Sequence, residues 1–190
     1  GDIDVLSASR FDDKIAWYEN TDGLGNFAEQ AISTSAAGAN SVFAADVDGD
    51  GDVDVLSASD LDDKIAWYEN VDGLGGFGVQ RVISNNANGV NSVFAADVNG
   101  DGDVDVLSAS GIDDKIFWYE NTDGIGSFGA QQVISTSVDR PEGVYAADVD
   151  SDGDIDVLSA SYDDNKIAWY PNDPTPPLTL VADALQIGGQ

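Results

Sequence analysis

Cysteine, histidine and methionine are all absent from the 190 residues. Their absence removes disulfide staples, thiolate and imidazole metal ligands, cysteine nucleophiles and every histidine-dependent catalytic triad. Zinc and haem sites go with them. Basic residues are scarce as well: 7 Lys and Arg stand against 36 Asp and Glu, a formal charge of −29. A surface of that sign repels phosphate, which excludes nucleic acid as a partner. No apolar run approaches the roughly 20 residues of a membrane span, and Gly1 opens a charged stretch without the features of a signal peptide. The expectation is a soluble piece excised from a secreted or cell-surface protein. No Asn-x-Ser/Thr acceptor occurs, so N-glycosylation is not expected, whereas Thr175 and Thr179 beside prolines are candidates for O-glycans.

Acidity alone does not make the chain disordered, because 42% of its residues are hydrophobic and 9% aromatic. The dominant feature is internal repetition. Gly-Asp-Ile-Asp-Val-Leu-Ser-Ala-Ser begins at Gly1 and returns in near-copies at Gly51, Gly102 and Gly153. Each copy leads into Asp-Asp-Lys-Ile-Ala-Trp-Tyr-Glu-Asn or a close variant, then a glycine-rich segment. The repeats run 1–50, 51–101, 102–152 and 153–172, three full units and part of a fourth, followed by a proline-rich linker and strand-like tail over 173–190. The tail is expected to bridge to a further domain or to cover an unfinished sheet edge. The first copy lacks one residue after Gln30, a difference expected to be absorbed as a bulge or turn.

Within a repeat, Val, Ile, Trp, Tyr and Phe gather in short runs punctuated by Asp-Gly, Gly-Gly, Asn-Gly and Asn-Asn. In the second copy this pattern predicts strands over 53–59, 64–69, 78–83 and 92–96, with no helical periodicity. The predicted fold class is all-β, built of tandem four-stranded antiparallel blades of propeller type. One blade cannot bury its own apolar faces, so neighbours must supply the cover.

Between the last strand of one predicted unit and the first of the next runs an acidic loop. Its copies are Asp46, Asp48, Asp50, Gly51, Asp52 and Asp54; Asp97, Asn99, Asp101, Gly102, Asp103 and Asp105; and Asp148, Asp150, Asp152, Gly153, Asp154 and Asp156. Side-chain oxygens recur at loop positions 1, 3, 5 and 9. Asp52, Asp103 and Asp154 at position 7 are expected to offer backbone carbonyls rather than side chains. Carboxylates so crowded repel one another and call for a hard cation. Calcium takes six to eight oxygens in a flexible shell, and glycine at position 6 allows the turn, whereas magnesium demands a tighter octahedron. An EF-hand shares the first half of this pattern but needs Glu at position 12, where Ser57, Ser108 and Ser159 stand here.

The acidic loop, with Trp-Tyr-Glu-Asn and Asp-Gly-x-Gly-x-Phe in each unit, resembles the FG-GAP/VCBS repeat family, which includes the blades of the integrin α-subunit propeller. The resemblance covers residues 1–172. It implies propeller blades with calcium in hairpin-like loops, through Asp46, Asp48, Asp50 and Asp54 and their counterparts, giving about three sites. Asp2 and Asp4 form only the back half of such a loop, which preceding residues or another chain would have to complete.

The glycine-rich segments carry Asp22, Asp72 and Asp123, which a hairpin turn explains without a second cation. Trp17, Trp67, Trp118 and Trp169 each precede a tyrosine, so neighbouring rings fall on opposite strand faces: one packs between blades, and the other is a candidate for stacking on sugars. Repetition argues against a unique active site, and the isolated Glu29 and Glu142 have no visible partner. The resulting expectation is a non-enzymatic, extracellular calcium-binding module serving adhesion or surface and filament assembly. Self-association through sheet edges or head to tail is expected, with a glycan or protein as a further ligand. The alternatives are a carbohydrate-binding propeller and a non-catalytic propeller within a larger secreted enzyme.

Overall fold

The computed structural model describes residues 2–172. They form 14 strands and no helix, arranged as four antiparallel sheets in tandem. The first sheet holds β1 (Val5–Ser9), β2 (Lys14–Asn20) and β3 (Phe27–Ser33). The second holds β4 (Ala39–Ala45), β5 (Asp54–Ser59), β6 (Lys64–Tyr68) and β7 (Arg81–Ser84). The third repeats this with β8 (Val90–Ala96), β9 (Asp105–Ser110), β10 (Lys115–Tyr119) and β11 (Gln132–Ser135). The fourth comprises β12 (Pro141–Ala147), β13 (Asp156–Ser161) and β14 (Lys166–Tyr170). The strand-like tail expected within 173–190 lies outside the described residues.

The sheets are one strand out of phase with the sequence repeat. The run predicted at 92–96 is part of β8, which pairs with β9 of the following copy (Ala96 opposite Asp105) rather than closing its own unit. Two connections flank that run, and only one of them is a hairpin. The preceding segment crosses to a new sheet: Asp63, in the left-handed region at φ 56°, accepts Gly89 N on its carboxylate at 3.0 Å and Ala87 N on its carbonyl at 3.1 Å. Asp13 holds Gly38 and Ala36 in the same way in the first copy. The acidic loop therefore folds back within a sheet instead of bridging two.

The residue missing from the first copy has a visible consequence. β2 and β3 pair without interruption from Trp17–Gln30 to Asn20–Phe27. In the longer second copy, Trp67 still faces Arg81 and Asn70 still bridges Phe77, so one extra residue is extruded over 78–80. The strand predicted at 78–83 is shortened to Arg81–Ser84 for that reason.

Apolar cover comes from neighbouring sheets. Val47, Leu56, Ile65 and Trp67 of the second sheet form one cluster with Val90, Val106, Phe117 and Tyr119 of the third. Leu107, Ile116 and Trp118 join Val144, Val157 and Tyr170 in the next cluster, and Ile15 joins Val55 and Tyr68 in the first. The strands β5 and β9 are buried on both faces, which suits the small alternating side chains of Val-Leu-Ser-Ala-Ser. The inner strands β4, β8 and β12 lie side by side. Val93 N donates to Ser41 Oγ and Val144 N to Ser92 Oγ, each at 3.3 Å. Phe43, Phe94 and Tyr145 stack along them with ring centroids 4.4 and 4.5 Å apart.

Candidate metal centres

Each acidic loop joins an inner strand to the next strand of the same sheet. Its shape depends on glycines at position 6, where Gly51, Gly102 and Gly153 hold φ of 95°, 97° and 102°, a backbone that side-chain-bearing residues rarely adopt. The loop then closes on its last acid. Asp54, 0% exposed, accepts Val47 N on Oδ2 at 2.9 Å and Asn70 N on Oδ1 at 2.7 Å. Asp105 does the same for Val98 and Asn121 (3.2 and 2.8 Å), and Asp156 for Val149 and Asn172 (3.0 and 2.8 Å). The position-9 carboxylate thus fastens both ends of the loop to the adjacent strand.

In the first loop, carboxylate oxygens of Asp46, Asp48 and Asp54 lie within 4.8 Å of one another; Asp148, Asp150 and Asp156 form an equivalent cluster. Buried oxygens Asp46 Oδ1 and Asp48 Oδ1 have no hydrogen-bond partner. Uncompensated buried carboxylate oxygens are costly, and a hard cation satisfies them. The donor set fits calcium: several carboxylates, carbonyls nearby, and no soft ligand. Asp50 and Asp152 stand outside these clusters, each accepting an amide at position 7 through Oδ1.

The middle loop is organised differently. Asp97 Oδ1 accepts Gly100 N at 2.8 Å and Asp101 N at 3.1 Å, while Oδ2 accepts Gly102 N at 2.9 Å. Asn99 Nδ2 donates to Asp101 Oδ2 at 2.8 Å, so the neutral side chain supplies internally some of the compensation that a cation gives elsewhere. Position-7 side chains turn away from the clusters. A Cβ at Gly73 would lie 2.4 Å from Asp52 Oδ1, and one at Gly124 would lie 2.4 Å from Asp103 Oδ1, so these carboxylates cover the glycine turns of their own sheets. Asp154 is half-buried at the equivalent position.

Burial raises the carboxyls of Asp54 and Asp105 to about 6, against the pull of the amides they accept. Burial and the neighbouring Asp50 push Asp48 up as well, and Asp150 rises through desolvation and Asp152. A carboxyl raised in the native state stabilises it below the unfolded value of about 4 and loses that contribution as pH climbs through about 6. Calcium needs the ionised form, so its contribution grows over the same window. Chelated chain should therefore melt at falling temperatures from pH 4 to pH 7, and calcium-loaded chain at rising ones. Thermal melts at both conditions check this, and parallel curves would contradict it. The turn acids act below that window: backbone amides of Gly76 and Leu74 hold Asp72 down, and Leu24 and Asn26 hold Asp22 down. Ser127 and Ile125 do so for Asp123. These bonds account for the three turn acids without a second cation.

One set of residues had no role in the sequence reading. Asn121 Nδ2 donates to Val47 O in the preceding sheet's acidic loop at 2.9 Å and to Val104 O at 3.3 Å, and Asn172 donates likewise to Val98 O and Ile155 O at 2.6 and 3.3 Å. Their side-chain oxygens organise the glycine turns: Gly126 N donates to Asn121 Oδ1 at 3.2 Å, as Gly75 N does to Asn70 Oδ1 at 3.0 Å. The available signal was a polar residue ending the same apolar strand in all four copies.

Trp17, Trp67 and Trp118 sit between sheets. Trp67 is 1% and Trp118 5% exposed, so neither ring offers a face to a sugar, and both of their tyrosine neighbours are buried as well. Trp17 and Trp169 are half-buried. Trp17 meets Phe77 edge-on at 6.2 Å and lies where a Cβ at Gly75 would be, which is also interblade packing.

Four tandem antiparallel sheets, packed face to face and each complete one opened by an acidic hairpin, define a protein of repeated propeller-type blades. The FG-GAP-like repeat pattern matches residues 1–57, 46–108 and 97–159. The chain belongs to that family. No curated protein matches it. Among solved structures it is similar to an auxiliary nutrient binding protein from Bacteroides ovatus ATCC 8483, at 12% identity and TM-score 0.59, covering 92% of this chain and 43% of that one. It is also similar to the V. cholerae biofilm matrix protein Bap1, at 20% identity and TM-score 0.48, covering 90% of this chain and 27% of that one. The chain thus spans less than half the length of either.

Proposed function

We propose that the chain is a non-enzymatic, calcium-braced extracellular module that serves adhesion or the building of a surface or filamentous assembly. The observation that carries this reading is the pair of buried, partnerless oxygens on Asp46 and Asp48 beside Asp54, in a loop whose relatives recur twice along the chain. Such a loop is an unfinished coordination shell. Calcium suits it better than magnesium because the oxygens are spread over a flexible nine-residue loop rather than a tight octahedron. Extracellular calcium is millimolar, which matches the weak sites of extracellular modules. Three divalent cations would neutralise only about a fifth of the formal charge of −29, so the surface stays strongly hydrated.

Assembly is supported by the way each blade leans on the next: Val47 and Val98 of the acidic loops are buried under the following sheet, and their carbonyls receive Asn121 and Asn172 from it. Calorimetric titration tests the metal reading. About three calcium ions per chain are expected, with the 97–105 loop weakest because Asn99 replaces a charge, and with magnesium failing to compete at equal concentration. Absence of calcium binding would overturn it.

A further inference from the structure

The sequence holds two Asn-Gly pairs, Asn88-Gly89 and Asn99-Gly100. Asparagine before glycine is where a backbone nitrogen most readily attacks the neighbouring side-chain amide, because glycine puts no Cβ in the way. The two pairs are held in opposite ways. At Asn99-Gly100, hydrogen bonds converge on the atoms that such an attack involves. Gly100 N, the nucleophile, donates to Asp97 Oδ1 at 2.8 Å. Asn99 Oδ1, on the carbonyl to be attacked, accepts Asp101 N at 3.1 Å. Asn99 Nδ2, the group to be expelled, donates to Asp101 Oδ2 at 2.8 Å. Gly100 is exposed, with nothing within 4 Å of where a Cβ would stand, so a ring can close there and water can reach it.

Asn88-Gly89 lacks two of these features. Gly89 N also meets a carboxylate, Asp63 Oδ1 at 3.0 Å, but Asn88 is turned to Asp113, through Nδ2 at 2.8 Å and its own amide at 3.0 Å. Its side-chain carbonyl receives no N–H among the described residues. Gly89 is buried, and a Cβ there would lie 2.5 Å from Ile112 Cγ1, so that turn is closed to water. The other acidic loops lack the arrangement as well. Asp48 and Asp150 stand where Asn99 does, and Asp46 accepts only Gly51 N among the described residues.

We propose that Asn99 is a site of self-modification, at which the folded middle loop converts the asparagine to aspartate through a succinimide. Asp97 takes the Gly100 amide proton as the nitrogen bonds to Asn99 Cγ, while Asp101 N steadies the charge that develops on Oδ1. The Cγ–Nδ2 bond then breaks, and Nδ2 leaves as ammonia with the proton that Asp97 took up. Water opens the ring. Attack on Cγ gives aspartate in an unchanged backbone, and attack on the main-chain carbonyl gives isoaspartate, whose longer backbone disrupts the amide bonds to Asp97. The sum consumes one water, releases one ammonia and needs no oxidant. Holding nucleophile and carbonyl in one turn supplies the proximity that the unfolded chain lacks. The consequence rests on the calcium reading above: aspartate at position 99 restores the charge that Asp48 and Asp150 supply in the other loops, so the middle loop gains its missing ligand after synthesis.

The test follows the full chain in chelator at neutral pH, sampled over days and cleaved at acidic pH into peptides whose fragment masses place each amide-to-acid change. In the folded chain Asn99 should convert at least about tenfold faster than Asn88, and in urea Asn99 should slow until the two react alike. Equal rates in the folded chain, or an Asn99 rate that urea leaves unchanged, would assign the chemistry to the dipeptide and overturn the proposal. Asp97→Asn should slow Asn99 by at least about tenfold, while Asn88 reports in the same molecule that the fold holds. An undiminished Asn99 rate in that variant would overturn the role of Asp97. Aged chain and Asn99→Asp should both bind calcium at the 97–105 loop at least about tenfold more tightly than fresh chain. Conversion without that gain, or to isoaspartate alone, would overturn the consequence and leave the modification standing. A chain that binds no calcium at any loop would overturn the calcium reading and leave the modification standing likewise.

Discussion

In excess chelator the chain should melt roughly 15–30 °C lower than in calcium held at about a hundredfold over the dissociation constants. The size follows from mass action. A ligand at that excess stabilises the native state by about 2.7 kcal/mol per site, three sites give about 8 kcal/mol, and a domain of this length shifts by about 2–4 °C per kcal/mol. The structural cause is the crowding of Asp46, Asp48 and Asp54, whose carboxylate oxygens lie within 4.8 Å of one another, together with the matching cluster at Asp148, Asp150 and Asp156. Without a cation, each pair of charges repels by about 1 kcal/mol in bulk water and about 4 kcal/mol near a protein surface. Magnesium should restore only a small part, because the loop does not present a compact octahedron. Scanning calorimetry in calcium, magnesium and chelator measures it directly. An unchanged melting temperature would leave the acidic loops as solvated turns and remove the central functional claim.

Repetition made the strands and acidic loops legible, because each signal appears several times in one chain with the same neighbours. Asp46, Asp48, Asp50 and Asp54 were recognisable as a set from spacing, and the structure brings Asp46, Asp48 and Asp54 together while Asp50 stands outside the cluster. Sheet phase was not legible. The run at 92–96 is flanked by two turn-rich segments, and the choice between them turns on Asp63 holding Gly89 and Ala87, contacts between residues about 25 positions apart. That one ring of each Trp-Tyr pair packs between blades was legible, but that both are covered was not, for a related reason. Alternation separates the two faces of a strand, but in stacked sheets both faces are covered, so Trp67 and Tyr68 are both 1% exposed. The position-9 acids read as metal ligands and prove also to be fasteners of the loop ends. Asn121 and Asn172 are the clearest omission. Their value lies in carbonyls of another sheet, 74 residues away, and no local pattern encodes that distance.

The junction between the second and third sheets should be far more sensitive to one methyl group than the acidic loops are. Gly126 and Gly102 both adopt positive φ, 85° and 97°, so alanine is strained at either. Their surroundings differ. A Cβ at Gly102 meets nothing within 4 Å, whereas one at Gly126 would lie 2.3 Å from Trp67 Cζ2 and 2.9 Å from Cη2. The Trp67 ring has little room to retreat, since it is 1% exposed and Arg81 lies over it at 4.9 Å from the centroid. Moving the glycine turn instead would disturb Gly126 N on Asn121 Oδ1, and through Asn121 the bond to Val47 O in the 46–54 loop. Gly102→Ala should therefore cost about 1–2 kcal/mol of backbone strain, and Gly126→Ala about 2–5 kcal/mol once overpacking is added. The larger loss should also reach the metal. Calcium affinity of the 46–54 loop should fall in Gly126→Ala, although the substitution touches no carboxylate, because Asn121 links that loop to the turn. Urea melts with calcium titrations on both variants measure the two effects, and equal losses would mean that Trp67 and Gly126 do not carry the junction.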